Sequence, residues 1–128
     1  MYSLSIKTHF DAAHYIRDYE GKCARLHGHR WDVELLFQGK KLQSNNILLD
    51  FSVLKSYLKK LVDDKLDHYC LNETLNEENV TAEFLAAYVF KMVDDCIFHK
   101  VAEAVELRLA LVRVWESPDC YVQYDGLD

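Results

Sequence analysis

The tripeptide His27-Gly28-His29 has the spacing of a metal site on a strand. Side chains two residues apart on a β-strand point to the same side, with Cα atoms roughly 6.5–7 Å apart, so two imidazoles can converge on one ion. Gly28 places no side chain between them and allows close backbone approach. His14 lies in an earlier segment with a two-residue apolar period and shares the parity of its apolar positions. If the two segments pair, all three imidazoles face one side of the sheet.

Three neutral imidazoles that leave a fourth position open are typical of a catalytic zinc site, whereas a structural site is closed by four protein ligands. The sequence therefore predicts that His14, His27 and His29 bind Zn²⁺. The alternative interpretation is a set of ordinary strand histidines near the edge of a sheet.

Cys23 lies four residues before His27, in a predicted loop where Lys22 and Arg25 flank it. Nearby positive charge favours the thiolate, which is the nucleophilic and basic form of cysteine. One interpretation is that this thiol is a catalytic base beside the metal. A second is that it is a fourth zinc ligand, which would make the site structural. A third is that it is an inert loop cysteine.

Two further positions carry carboxylates that could take part in chemistry. Asp67 precedes His68 in a polar segment, and a carboxylate can orient an imidazole that then moves a proton. Glu116 follows the apolar segment 112–115, where its carboxylate could accept two hydrogen bonds from a flat, amidine-like ring. The alternatives are an exposed loop pair and a solvated turn glutamate.

The periodicity of the chain predicts the elements that hold these residues. A two-residue apolar period predicts strands over 2–14, 27–37, 105–115 and 120–125. Apolar residues at helical spacing predict helices over 53–62 and 84–96. Ser52 or Asp50 could cap the first helix, and Asn79 or Thr81 the second. The segments 63–78 and 116–119 are predicted to be a loop and a turn.

The order ββααββ predicts an α+β domain in which an antiparallel four-stranded sheet carries two helices on one face. Four strands cannot close a barrel alone. Because the open edges of the sheet need covering or pairing, the sequence also predicts an oligomer.

The composition limits the class of protein. The chain has 128 residues, which fits a single domain over 1–128, and its net charge of −6 argues against a nucleic-acid footprint. No apolar run approaches the ~18 residues of a membrane helix, and the N-terminus lacks a signal-peptide pattern, so we expect a cytoplasmic protein. The four cysteines are then expected to be free thiols.

Several segments, taken in order along nearly the whole chain, together resemble the 6-pyruvoyltetrahydropterin synthase family. They are Phe10-Asp11-Ala12-Ala13-His14, Cys23-Ala24-Arg25-Leu26-His27-Gly28-His29, Leu49-Asp50-Phe51, Leu66-Asp67-His68 with Leu71-Asn72, Asn79-Val80-Thr81-Ala82-Glu83 and Val114-Trp115-Glu116. The three residues between Cys23 and His27 resemble the bacterial 6-carboxy-5,6,7,8-tetrahydropterin synthase branch, which serves the queuosine pathway, because the biopterin-making branch usually has a longer gap. Tyr69 departs from the bacterial pattern, where a second histidine commonly follows the Asp-His pair.

The resemblance implies a role for each matched position. The three histidines would be the zinc ligands, and Cys23 the proton-abstracting base, with Asp67 and His68 completing a relay. The pterin ring would be anchored by Glu116, and Thr81 and Glu83 would line its pocket.

The resemblance also implies a fold and a reaction. The fold would be the T-fold, in which strands of several subunits form a barrel, commonly in a hexamer of two trimers with active sites at subunit interfaces. The reaction would convert 7,8-dihydroneopterin triphosphate to 6-carboxy-5,6,7,8-tetrahydropterin with release of acetaldehyde and triphosphate. The alternatives are the 6-pyruvoyltetrahydropterin synthase reaction of the tetrahydrobiopterin pathway, which eliminates triphosphate without that cleavage, and a non-catalytic, zinc-stabilised pterin-binding module.

Overall fold

Two long strands with alternating apolar residues form the part of the sheet that carries the histidines. In the computed structural model, which describes residues 1–98 and 106–128, β1 (Tyr2–His14) and β2 (His27–Gly39) pair antiparallel without a break in register. The pairing runs from Tyr2 opposite Gly39 to His14 opposite His27. The alternation of apolar residues therefore puts one face of both strands into the core.

The remaining described elements complete the predicted order. They are α1 (Phe51–Leu61), α2 (Leu71–Thr74), α3 (Ala82–Met92), β3 (Leu107–Ser117) and β4 (Cys120–Tyr124). The four strands form one antiparallel sheet in the order β1-β2-β3-β4. The predicted α+β class and four-stranded sheet are confirmed.

Both long helices pack on the same face of the sheet. Leu54 and Leu58 of α1 and Leu85 and Val89 of α3 share one core with the inward side chains of the strands. The side chain of Asp50 caps α1 by accepting a hydrogen bond from the backbone N–H of Ser52 at 2.8 Å. Thr81 caps α3 in the same way, accepting from Phe84 at 3.0 Å. No helix within residues 1–98 and 106–128 has the length and apolarity needed to cross a membrane.

The predicted loop over 63–78 is partly wrong. A π-helical turn (Val62–Leu66) extends α1, and α2 lies within the same segment. Leu66 and Leu71 are fully buried, and they anchor this otherwise polar stretch to the core. Isolated leucines give no periodic signal, so the pattern of polar residues around them predicts a loop.

The end of β3 also differs from the prediction. The predicted strand start at Val105 lies outside the described residues, but the strand continues to Ser117, so Glu116 belongs to the strand rather than to a turn. A register shift opposite Leu36 and Phe37 leaves Ala110 as an extra residue in β3. Such a β-bulge reverses the inward and outward parity of the residues that follow it.

The bulge decides which face of the sheet Glu116 occupies. Before it, Leu107 and Leu109 are buried, and after it Val112 and Val114 are the fully buried positions. The prediction that Leu111 continues the inward set is therefore wrong. Glu116 comes two residues after Val114, at a second register irregularity between Trp115 and Ser117. Its Oε1 lies 3.5 Å from the Nε2 of His14, so its side chain is on the face of the histidines.

Candidate metal centre and active-site cavity

The three predicted ligands converge at the end of the β1–β2 pair. His14 lies directly opposite His27 in the register, and His29 is two residues further along β2. The ring centroid of His14 lies 4.5 Å from that of His27 and 4.9 Å from that of His29. One potential ligand atom from each ring lies within 4.8 Å of the other two. The arrangement is a group that could hold a metal ion.

Two of the rings are oriented by backbone carbonyls. The Nδ1 of His14 lies 2.7 Å from the carbonyl oxygen of Val80, and the Nδ1 of His27 lies 2.7 Å from that of Arg25. Because a carbonyl can only accept, each Nδ1 carries the proton, and each Nε2 presents a lone pair. A donated Nδ1–H of this kind fixes the tautomer of metal-ligating histidines in proteins.

His29 completes the fit of the donor set to a metal. Its Nε2 lies 2.9 Å from the Nε2 of His14. Since the Nε2 of His14 presents a lone pair, such a close approach needs a proton or a cation between the two nitrogens. The Nδ1 of His29 is buried and has no hydrogen-bond partner. The residues present therefore suit a cation that prefers imidazole nitrogen, such as Zn²⁺.

His14 is kept neutral by its surroundings. Its side chain is 1% exposed, and its ring makes a T-shaped contact with Trp31, with ring centroids 4.7 Å apart. Burial lowers the pKa of His14 below its ordinary value, and the nearby His29 and His27 act in the same direction. The Val80 carbonyl and Glu116 oppose that shift without reversing it. A neutral imidazole is the form that can bind a metal ion.

Glu116 reaches the histidine group from the bulged end of β3. Its Oε1 lies 3.5 Å from the Nε2 of His14, and its side chain remains 42% exposed. Because His14 is held neutral, Glu116 is a carboxylate beside the three-histidine group and does not form an ion pair with it. Glu116 also faces the neighbouring cavity.

A cavity of about 440 Å³ brings together four of the predicted residues. Cys23, Thr81, Glu83 and Glu116 line it, together with apolar and aromatic side chains such as Tyr19. This volume lies within the range of small-molecule sites in proteins. The cavity therefore has room for a flat heterocycle beside the histidine group, with two carboxylates and a thiol on its walls.

Cys23 lies on a short 3₁₀ turn (Lys22–Ala24) between β1 and β2. The turn is joined to the end of β1 by a hydrogen bond from the backbone N–H of Ile16 to the Cys23 carbonyl at 2.9 Å. The thiols of Cys23 and Cys70 are half-buried and free, and that of Cys120 is exposed and free. Among the described side chains, the group of converging ligand atoms comprises the three histidines without Cys23. The Cys23 thiol lines the cavity and lies outside the group of converging histidine nitrogens.

Asp67 and His68 form a pair elsewhere on the chain. His68 Nδ1 lies 2.9 Å from Asp67 Oδ2, and the other carboxylate oxygen accepts from the backbone N–H of Asp11 at 3.0 Å. The backbone N–H of Asp11 contributes most to lowering the pKa of Asp67, with His68 adding to it. Asp67 in turn raises the pKa of His68, mainly through their hydrogen bond.

The Asp67–His68 pair does not line the cavity that Cys23 lines. His68 is 79% exposed and has a backbone φ of 64°, a left-handed conformation that is uncommon outside glycine. Its backbone N–H donates to the Asp11 carbonyl at 2.7 Å, which fixes the pair against the edge of β1 that does not pair with β2. The pair is therefore presented outward, and it is available to another molecule.

Two residues at the site were not predicted from the sequence. Val80 orients His14 through its backbone carbonyl, and no side-chain pattern can signal such a contact. Asn72 is buried and hydrogen-bonded to the backbone on both sides of the site. Asn72 belongs to the Leu71-Asn72 pair that contributes to the family resemblance. That resemblance is the sequence signal that could have identified it.

Comparisons with known proteins agree with one another. A sequence model described as 6-pyruvoyl tetrahydropterin synthase matches residues 3–127. The chain is 40% identical over 132 residues to a 6-carboxy-5,6,7,8-tetrahydropterin synthase of Bacillus subtilis, covering 96% of this chain and 84% of that protein. It is 40% identical over 90 residues to one of Synechocystis sp., covering 67% and 70%. The structure of Caenorhabditis elegans 6-pyruvoyl tetrahydropterin synthase has a similar fold, with a TM-score of 0.83 at 22% identity over 98% of this chain and 96% of that chain.

Proposed function

We propose a reaction for this chain, which belongs to the 6-pyruvoyl tetrahydropterin synthase family. It converts 7,8-dihydroneopterin triphosphate and water to 6-carboxy-5,6,7,8-tetrahydropterin, acetaldehyde and triphosphate. The relatives from Bacillus subtilis and Synechocystis sp. carry the name of the synthase that makes this product. The structural observation that carries the proposal is the three-histidine group beside a cavity that Cys23 and Glu116 both line.

We propose Zn²⁺ as the metal of this chain. His14, His27 and His29 would hold it, and the two carbonyl-bound Nδ1–H groups support that assignment because they leave Nε2 free to bind. When bound, Zn²⁺ supplies Lewis acidity that makes the protons of the substrate's side-chain hydroxyls easier to remove. Among the described residues no fourth histidine, cysteine or carboxylate joins the ligand group. A catalytic zinc site with three protein ligands keeps its fourth position for water or substrate.

We assign the proton transfers to Cys23. Its thiolate would take a proton from the pterin side chain, which is the step that prepares loss of triphosphate and cleavage of the carbon–carbon bond. The 3₁₀ turn holds this thiol at the wall of the cavity that would receive the pterin side chain. A base that is not also a metal ligand keeps its lone pair for the proton.

Glu116 would anchor the pterin ring. Its carboxylate could accept two hydrogen bonds from the amidine-like edge of the ring, and the bulge in β3 turns it toward the cavity. Thr81 and Glu83 line the same cavity at the start of α3 and would contact the ring from that side.

The position of Asp67 and His68 supports an oligomer with shared active sites. The pair lies outside the cavity of its own chain and is exposed, so it would reach a thiol only in a neighbouring copy. β1 and β4 are the two ends of the sheet and leave backbone groups for pairing between copies. We propose a cytoplasmic hexamer of two trimers, in which the strands of each trimer close a barrel.

The proposal is tested by incubating the zinc-loaded protein with 7,8-dihydroneopterin triphosphate and measuring acetaldehyde and triphosphate together. We expect equal amounts of both, and neither from Cys23→Ala. Triphosphate without acetaldehyde would contradict the carboxy product and favour the 6-pyruvoyl reaction. Binding of the pterin with no release of triphosphate would reduce the chain to a pterin-binding protein.

A further inference from the structure

We propose that Asn72 is a positioning residue of the metal centre, and that it acts by joining the two backbone segments that hold His14. This inference rests on the metal site of the proposed function. Asn72 and His14 are the two buried polar side chains in the described part of the chain, at 5% and 1% exposure. A buried amide is costly unless its polar atoms are paired, so the partners of Asn72 are informative.

All three hydrogen bonds of the Asn72 side chain go to backbone groups. Its Oδ1 accepts from the backbone N–H of Tyr15 at 2.9 Å. Its Nδ2 donates to the Tyr15 carbonyl and to the Glu78 carbonyl, both at 2.9 Å. Both donors of the amide are therefore used, on two segments that are far apart in sequence.

Each of the two segments contributes to the orientation of His14. Tyr15 directly follows His14 in the chain. Glu78 lies two residues before Val80, whose carbonyl accepts the Nδ1–H of His14 at 2.7 Å. One amide thus fixes the backbone next to the ligand against the backbone that supplies the ligand's hydrogen-bond partner.

The other contacts between these segments are one backbone bridge and several exposed side-chain contacts. Asn79 exchanges two exposed hydrogen bonds with Asp18, both at 3.3 Å. A backbone bridge pairs Ile16 with Asn79. The ion pair between Arg17 and Glu78 is 60% and 65% exposed, and exposed pairs contribute little because water competes for both charges. Asn72 is therefore the buried side chain that joins the backbone beside His14 to the segment that carries the Val80 carbonyl.

Loss of this amide should weaken zinc binding in addition to lowering the stability of the fold. Without it the Val80 carbonyl can move from His14 Nδ1, and the ring is then free to turn its Nε2 away from the other two ligands. Removing the partner that orients a ligating histidine typically weakens metal affinity by about 10–100-fold. Because Asn72 acts through one intervening carbonyl, we expect about a tenfold loss.

The test measures zinc affinity by chelator competition in wild type, Asn72→Ala and Leu58→Ala. Leu58 is a buried core residue of α1 that makes none of the contacts above, so its variant controls for general loss of stability. We expect about tenfold weaker zinc binding in Asn72→Ala, wild-type affinity in Leu58→Ala, and an altered visible absorption spectrum of the Co²⁺-substituted Asn72 variant. If Asn72→Ala does not fold, Asn72→Ser is measured instead, since its hydroxyl cannot reach both carbonyls, and the same loss is expected.

Zinc affinity in the Asn72 variant within twofold of wild type, with an unchanged Co²⁺ spectrum, would overturn the inference and leave Asn72 as a purely structural residue. Equal losses in the Asn72 and Leu58 variants would overturn it as well. Absence of zinc binding in the wild-type protein would instead overturn the proposed metal site, and this inference with it.

Discussion

Replacing Glu116 by glutamine isolates the contribution of one carboxylate to recognition of the pterin. The substitution keeps the size of the side chain and its place at the bulged end of β3. A carboxylate can accept two hydrogen bonds from the amidine-like edge of the ring. The glutamine amide offers one acceptor oxygen, and its NH₂ group would face an N–H donor of the ring. The variant therefore loses one charge-assisted hydrogen bond to the substrate.

The size of the effect follows from the exposure of the group. A hydrogen bond to a charged partner contributes about 1.5–3 kcal/mol. The Glu116 side chain is 42% exposed in the free chain, so water already solvates it in part, and we take about 1–2 kcal/mol. At about 1.4 kcal/mol per factor of ten, kcat/KM should fall about five- to thirtyfold.

The assay is steady-state release of triphosphate from 7,8-dihydroneopterin triphosphate, with bound zinc measured on the same preparations. Glu106→Gln is the matched control, because Glu106 lies just before the opposite end of β3, about 33 Å away at the rise of a strand. We expect it to behave as wild type. A change below twofold in kcat/KM of Glu116→Gln would refute the anchoring role, and loss of zinc would show that the carboxylate is needed as a ligand.

Three further predictions concern the histidines. His14→Ala removes the most buried ligand and should abolish stoichiometric zinc binding, measured by elemental analysis after dialysis; retention of one zinc per chain would contradict the ligand set. Because burial lowers the pKa of His14, its contribution to stability is present above the ordinary value of 6.5 and is lost as the pH falls through the lowered pKa. Urea unfolding of the zinc-free protein should show that loss in wild type and not in His14→Gln. Because Asp67 raises the pKa of His68, the pair stabilises the fold at pH values below 6.5. That stabilisation is lost as the pH rises through the raised pKa of His68. An NMR titration of His68 should give a midpoint above 6.5 that falls in Asp67→Asn, and an unchanged midpoint would refute their coupling.

The positions of the three histidines were predictable because strand periodicity is a strong local signal. Alternation in β1 and β2 sets the face of each side chain, and a one-residue error in either strand would bury polar residues throughout. The register that results places His14 opposite His27. The convergence of the three histidines is therefore the part of the site that follows most directly from the sequence.

The rest of the site depends on features that have no such period. The extra residue Ala110 reverses the parity of β3, and nothing in the alternation of the strand signals it, although it is what turns Glu116 toward the histidines. Val80 orients the ring of His14 through its backbone carbonyl, and its side chain takes no part in that contact. Asn72 joins segments by contacts across a long sequence separation, which local patterns cannot reveal. Long-range backbone contacts and bulges are where the structure adds most to the sequence.

The central claim is that three histidines hold the metal and that Cys23 stands beside it as a base. The most direct test is the zinc content of purified Cys23→Ala, measured by elemental analysis beside wild type. We predict about one zinc per chain in both proteins, since Cys23 is outside the group of converging ligand atoms. Loss of zinc from the variant would contradict this account, because it would make Cys23 a fourth ligand and the site a closed, structural one.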